Sequence, residues 1–166
     1  MIYPFVLEMK KLLGQMSTWL DKAAAHATAR KFDVNTLFHA RLAPDQFALM
    51  RQIQSTCDLA KFAASRTSGK DSPSHADTEQ TVEEIKQRIA SVISYLETFT
   101  AADFDAAGTL SVSLPRWEGK SMAAPDYFVQ HAIPNFFFHL TTVYALLRHN
   151  GVDVGKRDFL GQIDMR

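Results

Sequence analysis

Hydrophobic residues recur at steps of three and four along four separate segments of the chain, and each segment predicts an amphipathic helix. In the first, Phe5, Met9, Leu12, Met16, Trp19 or Leu20, and Ala23 form one stripe, so a helix spans about residues 4–27. Residues 28–43 sustain no period and include the turn signals Asp33, Val34 and Asn35, which predicts an irregular crossover past one end of the helices. Pro44 and Asp45 suit a first helical turn, and Phe47, Met50, Ile53 or Gln54, Cys57, Ala60 or Lys61, and Ala64 continue it as a second helix. The run TSGKDSPSHAD at 67–77 has no apolar anchor and predicts an exposed, mobile linker.

Thr81 followed by Glu84 fits a capping box, and the stripe Val82, Ile85, Ile89, Val92 or Ile93, Leu96 and Phe99 predicts the third helix. Alternation of polar and apolar residues at 109–114, followed by the turn residues Glu118, Gly119 and Lys120, predicts a short β-hairpin. The fourth helix starts near Pro125 and Asp126 and ends at Gly151, a residue suited to a left-handed cap. It is apolar nearly all round, which suits a central helix or a subunit interface, and Pro134 predicts a kink that frees the carbonyl of Gln130. Residues 152–166 contain Val154, Phe159 and Leu160 and are expected to fold back as a strap. The fold class is therefore all-α: a four-helix bundle in one domain, residues 1–166, with a long crossover loop, a short hairpin before the last helix and a C-terminal strap.

Composition narrows the function more than the fold. Eighteen basic residues balance eighteen acidic ones, so no global field draws the chain to nucleic acid or to an anionic membrane. Charges at Glu8, Lys10 and Lys11 interrupt the N-terminal apolar run too early for a secretory signal or a membrane span. Cys57 is the single cysteine, which removes disulfides and paired-cysteine zinc sites, and a cytoplasmic location is expected. On the apolar stripe of helix two, Cys57 reads as a core thiol rather than a nucleophile. Phe136, Phe137 and Phe138 cover most of a helix circumference and predict core plus an oligomer contact, in line with a homodimer. No nucleophile elbow, Walker loop or dinucleotide fingerprint occurs.

His131, Asn135 and His139 stand at i, i+4 and i+8 on helix four, where residues four apart share a face. With Gln54 and Asp58 of helix two they outline a polar pocket for a small polar ligand or a divalent ion, Zn²⁺, Ni²⁺ or Mn²⁺. The plainer expectation is that His139 is a core residue bonded to Asp58, Gln54 or a backbone carbonyl, with His131 in solvent.

Two stretches, RLAPDQF before helix two and HAIPNFFFHLTTVYALLRHNGVDVGKRDFLG at the end of the chain, resemble an uncharacterised bacterial branch of the DinB/YfiT-like metalloenzyme superfamily. The resemblance implies a four-helix bundle with a crossover, commonly a homodimer. It also implies a metal held by three histidines, one from helix two and two from helix four. Carried over by position, His131, Asn135 and His139 match the helix-four pattern with an asparagine in the middle place, and Gln54 or Asp58 stands in for the helix-two ligand. Metal-assisted hydrolysis or thiol transfer would be the implied chemistry. A non-enzymatic homodimeric module is the alternative.

Overall fold

The computed structural model describes residues 1–163 and 165, and the chain is mostly helical with one small antiparallel sheet. Four helices carry the architecture: α1 (Ile2–Arg30), α2 (Leu49–Ser68), α3 (Val82–Glu97) and α5 (Ile133–His149). Buried apolar side chains of these helices and of the segments that join and follow them form one contiguous core running from Val6 to Val154. In α1 the predicted stripe is buried from Met9 to Ala23, with both Trp19 and Leu20 inside. Thr81 caps α3 as its sequence requires: its hydroxyl accepts from the Glu84 amide while the Glu84 carboxylate accepts from the Thr81 amide.

The helix at the centre is α2, not the apolar fourth helix. Twelve of the twenty residues of α2 are buried, Gln52, Gln54, Thr56 and Lys61 among them, because α1, α3 and α5 all pack on it. By contrast, α5 leaves Pro134 and Phe138 exposed on its outer side. The start of α2 also differs from expectation. A turn closes at Gln46, whose amide donates to Ala43, and the helix begins only at Leu49, whose amide reaches back to the carbonyl of Ala40. Phe47 therefore lies outside the helix and half exposed, instead of in its buried stripe.

Within the crossover, a 3-10 turn (Val34–His39) is initiated by the Asp33 carboxylate accepting from the Asn35 amide. The Asn35 side chain then accepts from the amide of Val82, which ties the crossover to the start of α3. The expected hairpin is present as β1 (Ser111–Ser113) and β2 (Ser121–Ala123), paired Val112 to Met122, with a 3-10 turn (Pro115–Trp117) between them.

Leading out of the sheet, a short α4 (Ala124–Tyr127) runs into a π-turn (Phe128–Ala132) and then α5. The predicted proline kink is thus a π-turn. The Ile133 amide bonds back five residues to Phe128, and Pro134, which has no amide hydrogen to place, sits in the first turn of α5. Gly151 takes a left-handed conformation at the helix end, as its position predicts. The strap is α6 (Lys156–Leu160), held by Trp19 Nε1 donating to the Asp158 carbonyl and by Phe159 stacked on Trp19 at 5.5 Å. Of the tail predicted as strap, residues 164 and 166 lie outside the described residues. Among the described residues no helix is long and apolar enough to cross a membrane.

Candidate functional site

The five residues expected to form one polar pocket divide between two environments. The first is an ion cluster around Arg88, which the apolar stripe of α3 carries into the interior with its side chain 1% exposed. A cation that deep must be paired, and three carboxylates converge on it. Asp58 of α2 accepts at 2.9 Å, and Asp77 and Glu79 of the 69–81 loop accept at 2.6 and 3.0 Å. Gln54 belongs here, donating to Glu79 at 2.9 Å, and Asp58 is also bridged by the buried Lys61 at 3.0 Å. Burial works against ionisation of Asp77 and Glu79, but hydrogen bonds outweigh it and hold both carboxyls below their usual range. For Asp77 they come from Arg51 and Arg88; for Glu79, from its own backbone, Arg88 and Gln54. Sequence reasoning missed Arg88. The available signal was an arginine inside an apolar stripe, with Asp77 and Glu79 just upstream.

That cluster corrects the reading of residues 67–77 as an exposed, mobile linker: Thr67 and Ser68 end α2, and the rest belongs to a loop tied to the helices. Tyr95 donates to the Asp71 carbonyl at 2.8 Å, and His75 bridges α2 and α3. Its Nδ1 accepts from Lys61 at 3.2 Å, which leaves Nε2 to donate to Ser91, also at 3.2 Å. Desolvation, with Lys61 and Arg88 adding repulsion, pushes the His75 pKa below its ordinary value, so the ring is neutral at pH 7.

The second environment is a groove of about 490 Å³ on the other side of α2, bounded by the π-turn, α5 and the hairpin turn. His131, Asn135 and His139 all line it, with Asp58 at its edge. His139 is half-buried and bonds neither Asp58 nor Gln54. Its Nδ1 lies 2.6 Å from the Oε1 of Gln52, a fully buried glutamine whose Nε2 donates to the Phe47 carbonyl at 3.1 Å. Asn135 does not reach into a shared ligand set either, since its amide donates to the His131 carbonyl at 2.9 Å.

Nor is His131 in solvent. It stacks on Tyr127 at 5.2 Å, meets the edge of Trp117 at 5.6 Å, and its Nε2 accepts from Arg116. Its Nδ1 is buried with no partner among the described residues. Burial first, then Arg116 and Arg66, lowers the His131 pKa; burial and Arg51 do the same to His139.

Around these rings stand the guanidiniums of Arg51, Arg66 and Arg116. Arg51 pairs with Asp77, whereas Arg66 and Arg116 have no carboxylate partner among the described residues. Arg66 instead donates to the Tyr127 hydroxyl at 3.0 Å and lies over the Phe62 ring at 4.2 Å. This donor set does not fit a divalent cation. The imidazoles sit among arginines, the only lining carboxylate among the described residues is already shared by Arg88 and Lys61, and no three His, Cys, Asp or Glu side chains there converge. Cys57 is equally remote from chemistry: burial pushes its thiol up to about 12, so it stays protonated in the core.

Comparison with known proteins places these features in a lineage. The family model for the domain of unknown function DUF1993 matches residues 3–160. A crystal structure of a DinB family member protein from Shewanella denitrificans is 47% identical, covers 97% of this chain and 92% of its own, and matches with a TM-score of 0.93. No curated protein matches. Both findings agree with the resemblance carried by RLAPDQF and the helix-four stretch.

Two outcomes follow from the ion cluster. Replacing Arg88 by Ala leaves Asp58, Asp77 and Glu79 facing one another and is expected to lower unfolding free energy by about 3–5 kcal/mol, read from urea denaturation. Acidification should act in two stages. The His75 pKa is lowered in the folded state, so its contribution is complete above the unfolded value of 6.5 and is lost as pH falls below it. The lowered carboxyls contribute fully above their unfolded values, 4.5 for Glu79 and 3.8 for Asp77, and lose that contribution as pH falls below them. Urea midpoints measured from pH 7.5 to 3.5 should show both stages, and His75→Gln should reduce the first without removing it, because His131 and His139 are lowered in the same direction.

Proposed function

The chain belongs to the DUF1993 family and has a DinB-like fold, and on that basis we propose that it binds a small organic anion in the groove lined by His131 and His139. In this reading the four long helices form one cytoplasmic four-helix bundle of the DinB-like kind, and the groove is its ligand site. The carrying observation is the charge of the lining: Arg66 and Arg116 stand there without a carboxylate partner among the described residues, beside an Arg51 paired to Asp77, and the one lining carboxylate among the described residues, Asp58, is already doubly paired. Guanidinium forks match the planar oxygens of a carboxylate or phosphate, and Phe47 and Phe62 supply apolar surface for the rest of the molecule. The hydrolase or thiol-transferase chemistry implied by the superfamily needs a metal that this donor set does not match.

Phenyl phosphate is the first probe. Titrated calorimetrically into protein dialysed against a chelator, it is expected to bind more weakly as salt rises. Arg66→Ala and Arg116→Ala should each reduce affinity about tenfold, ~1.4 kcal/mol. Affinity unchanged in both variants, or binding that appears only after Zn²⁺, Ni²⁺ or Mn²⁺ is restored, would reverse the reading.

A second copy of the chain is the proposed macromolecular partner, because Phe138 is 54% exposed on α5 beside the exposed Pro134, while Phe136 is buried in the core. Light scattering should give a dimer mass for the natural chain and a monomer mass for Phe138→Glu. A monomeric natural chain would sink this assignment.

A further inference from the structure

We infer that His139 serves the groove as a fixed hydrogen-bond acceptor: its Nε2 receives the hydrogen of a hydroxyl or thiol carried by the same small anion that the arginines hold. The inference rests on the anion reading above and makes it specific. The site is assigned to small hydroxy or mercapto acids over the corresponding plain acids.

The argument begins at a backbone carbonyl. Phe47 lies outside α2, and its carbonyl accepts from the side chain of Gln52 at 3.1 Å. A carbonyl oxygen can only accept, so the Gln52 nitrogen must face it and the Gln52 oxygen must face the other way. That oxygen lies 2.6 Å from Nδ1 of His139. Because the oxygen also only accepts, Nδ1 carries the hydrogen. A neutral imidazole has one N–H, so Nε2 is left with a bare lone pair.

The ring cannot easily turn to evade this. It stacks on Phe47 with an interplanar angle of 16° and meets Phe138 edge-on at 5.2 Å. With Nδ1 turned inward to a fully buried amide, Nε2 occupies the opposite edge of a ring that lines the groove. Among the described residues Nε2 has no hydrogen-bond partner, and it is not one of the atoms sealed from solvent.

Guanidinium groups donate and cannot accept, and Nε2 of His131 is taken by Arg116. Asp58 Oδ1 is shared by Arg88 and Lys61, while Asp58 Oδ2, Asn135 Oδ1 and the Ser55 hydroxyl line the same groove without a hydrogen-bond partner among the described residues. His139 Nε2 is one of these free acceptors, held in place by the hydrogen bond at the other edge of its ring, and Arg51 lies close by, 5.8 Å from the centre of the same Phe47 ring. A plain carboxylate would satisfy the arginines and leave Nε2 without a hydrogen to accept. A ligand with both an anionic group and an O–H or S–H satisfies both, and a site built for a hydrogen bond discriminates against the analogue that lacks it. Gln52 acts through His139 and is a positioning residue.

Two measurements test this, with mandelate and phenylacetate as probes because they share one body and charge and differ by the hydroxyl. Long-range ¹H–¹⁵N correlation spectra of the natural chain at pH 7.5 should show His139 as the Nδ1–H tautomer, with a pyridine-like Nε2. Calorimetry should give mandelate at least tenfold tighter binding than phenylacetate, and His139→Phe should abolish that preference. An Nε2–H tautomer overturns the assignment without requiring any variant to fold. Equal affinity for the two acids overturns the role of His139 while the anion reading stands, and binding of neither acid overturns both.

Discussion

A buried arginine has to be neutralised, and much of this structure follows from how Arg88 meets that demand. Its place on the apolar stripe of α3 puts a full charge where desolvation is costly, so Asp58, Asp77 and Glu79 are drawn to it. Two of these come from a loop rich in Gly, Ser and Pro that has little apolar surface to dock with. The ion pairs, rather than hydrophobic burial, hold that loop across α2 and α3. They also explain why polar residues such as Gln54 and Lys61 can be buried on α2: each finds a charged partner in the same cluster.

The same pairing sets the character of the groove on the other side of α2. Asp58 lies between the two environments, and Arg88 and Lys61 claim its carboxylate. Arg66 and Arg116, which have no carboxylate partner among the described residues, are left to define its charge. The local field that favours an anion thus follows from where the nearby acids are spent, in a chain whose overall charge is zero.

Local backbone devices complete the arrangement. The π-turn rotates the helix just before α5, packing the His131 ring against Tyr127, while the hairpin turn delivers Arg116 and Trp117 to the same ring. The late start of α2 leaves the Phe47 carbonyl unclaimed by the helix, and that carbonyl orients Gln52 and, through it, His139. Each device is an irregularity beside a regular helix.

Periodicity located the long helices, and alternation with a turn signal located the hairpin, because a 3.6-residue stripe and a two-residue alternation are written directly in the order of apolar residues. The Thr81 cap and the Gly151 terminus were legible for the same reason, being local hydrogen bonding and local backbone freedom. The sequence also drew attention to His131 and His139, and both do line one groove. It could not tell that Asp58 and Gln54 turn toward Arg88 or that Gln52 holds His139, since residues distant in sequence become partners only through packing. Spacing places side chains on a face of one helix, whereas charge compensation and hydrogen-bond pairing are settled between elements, and only the tertiary structure decided those.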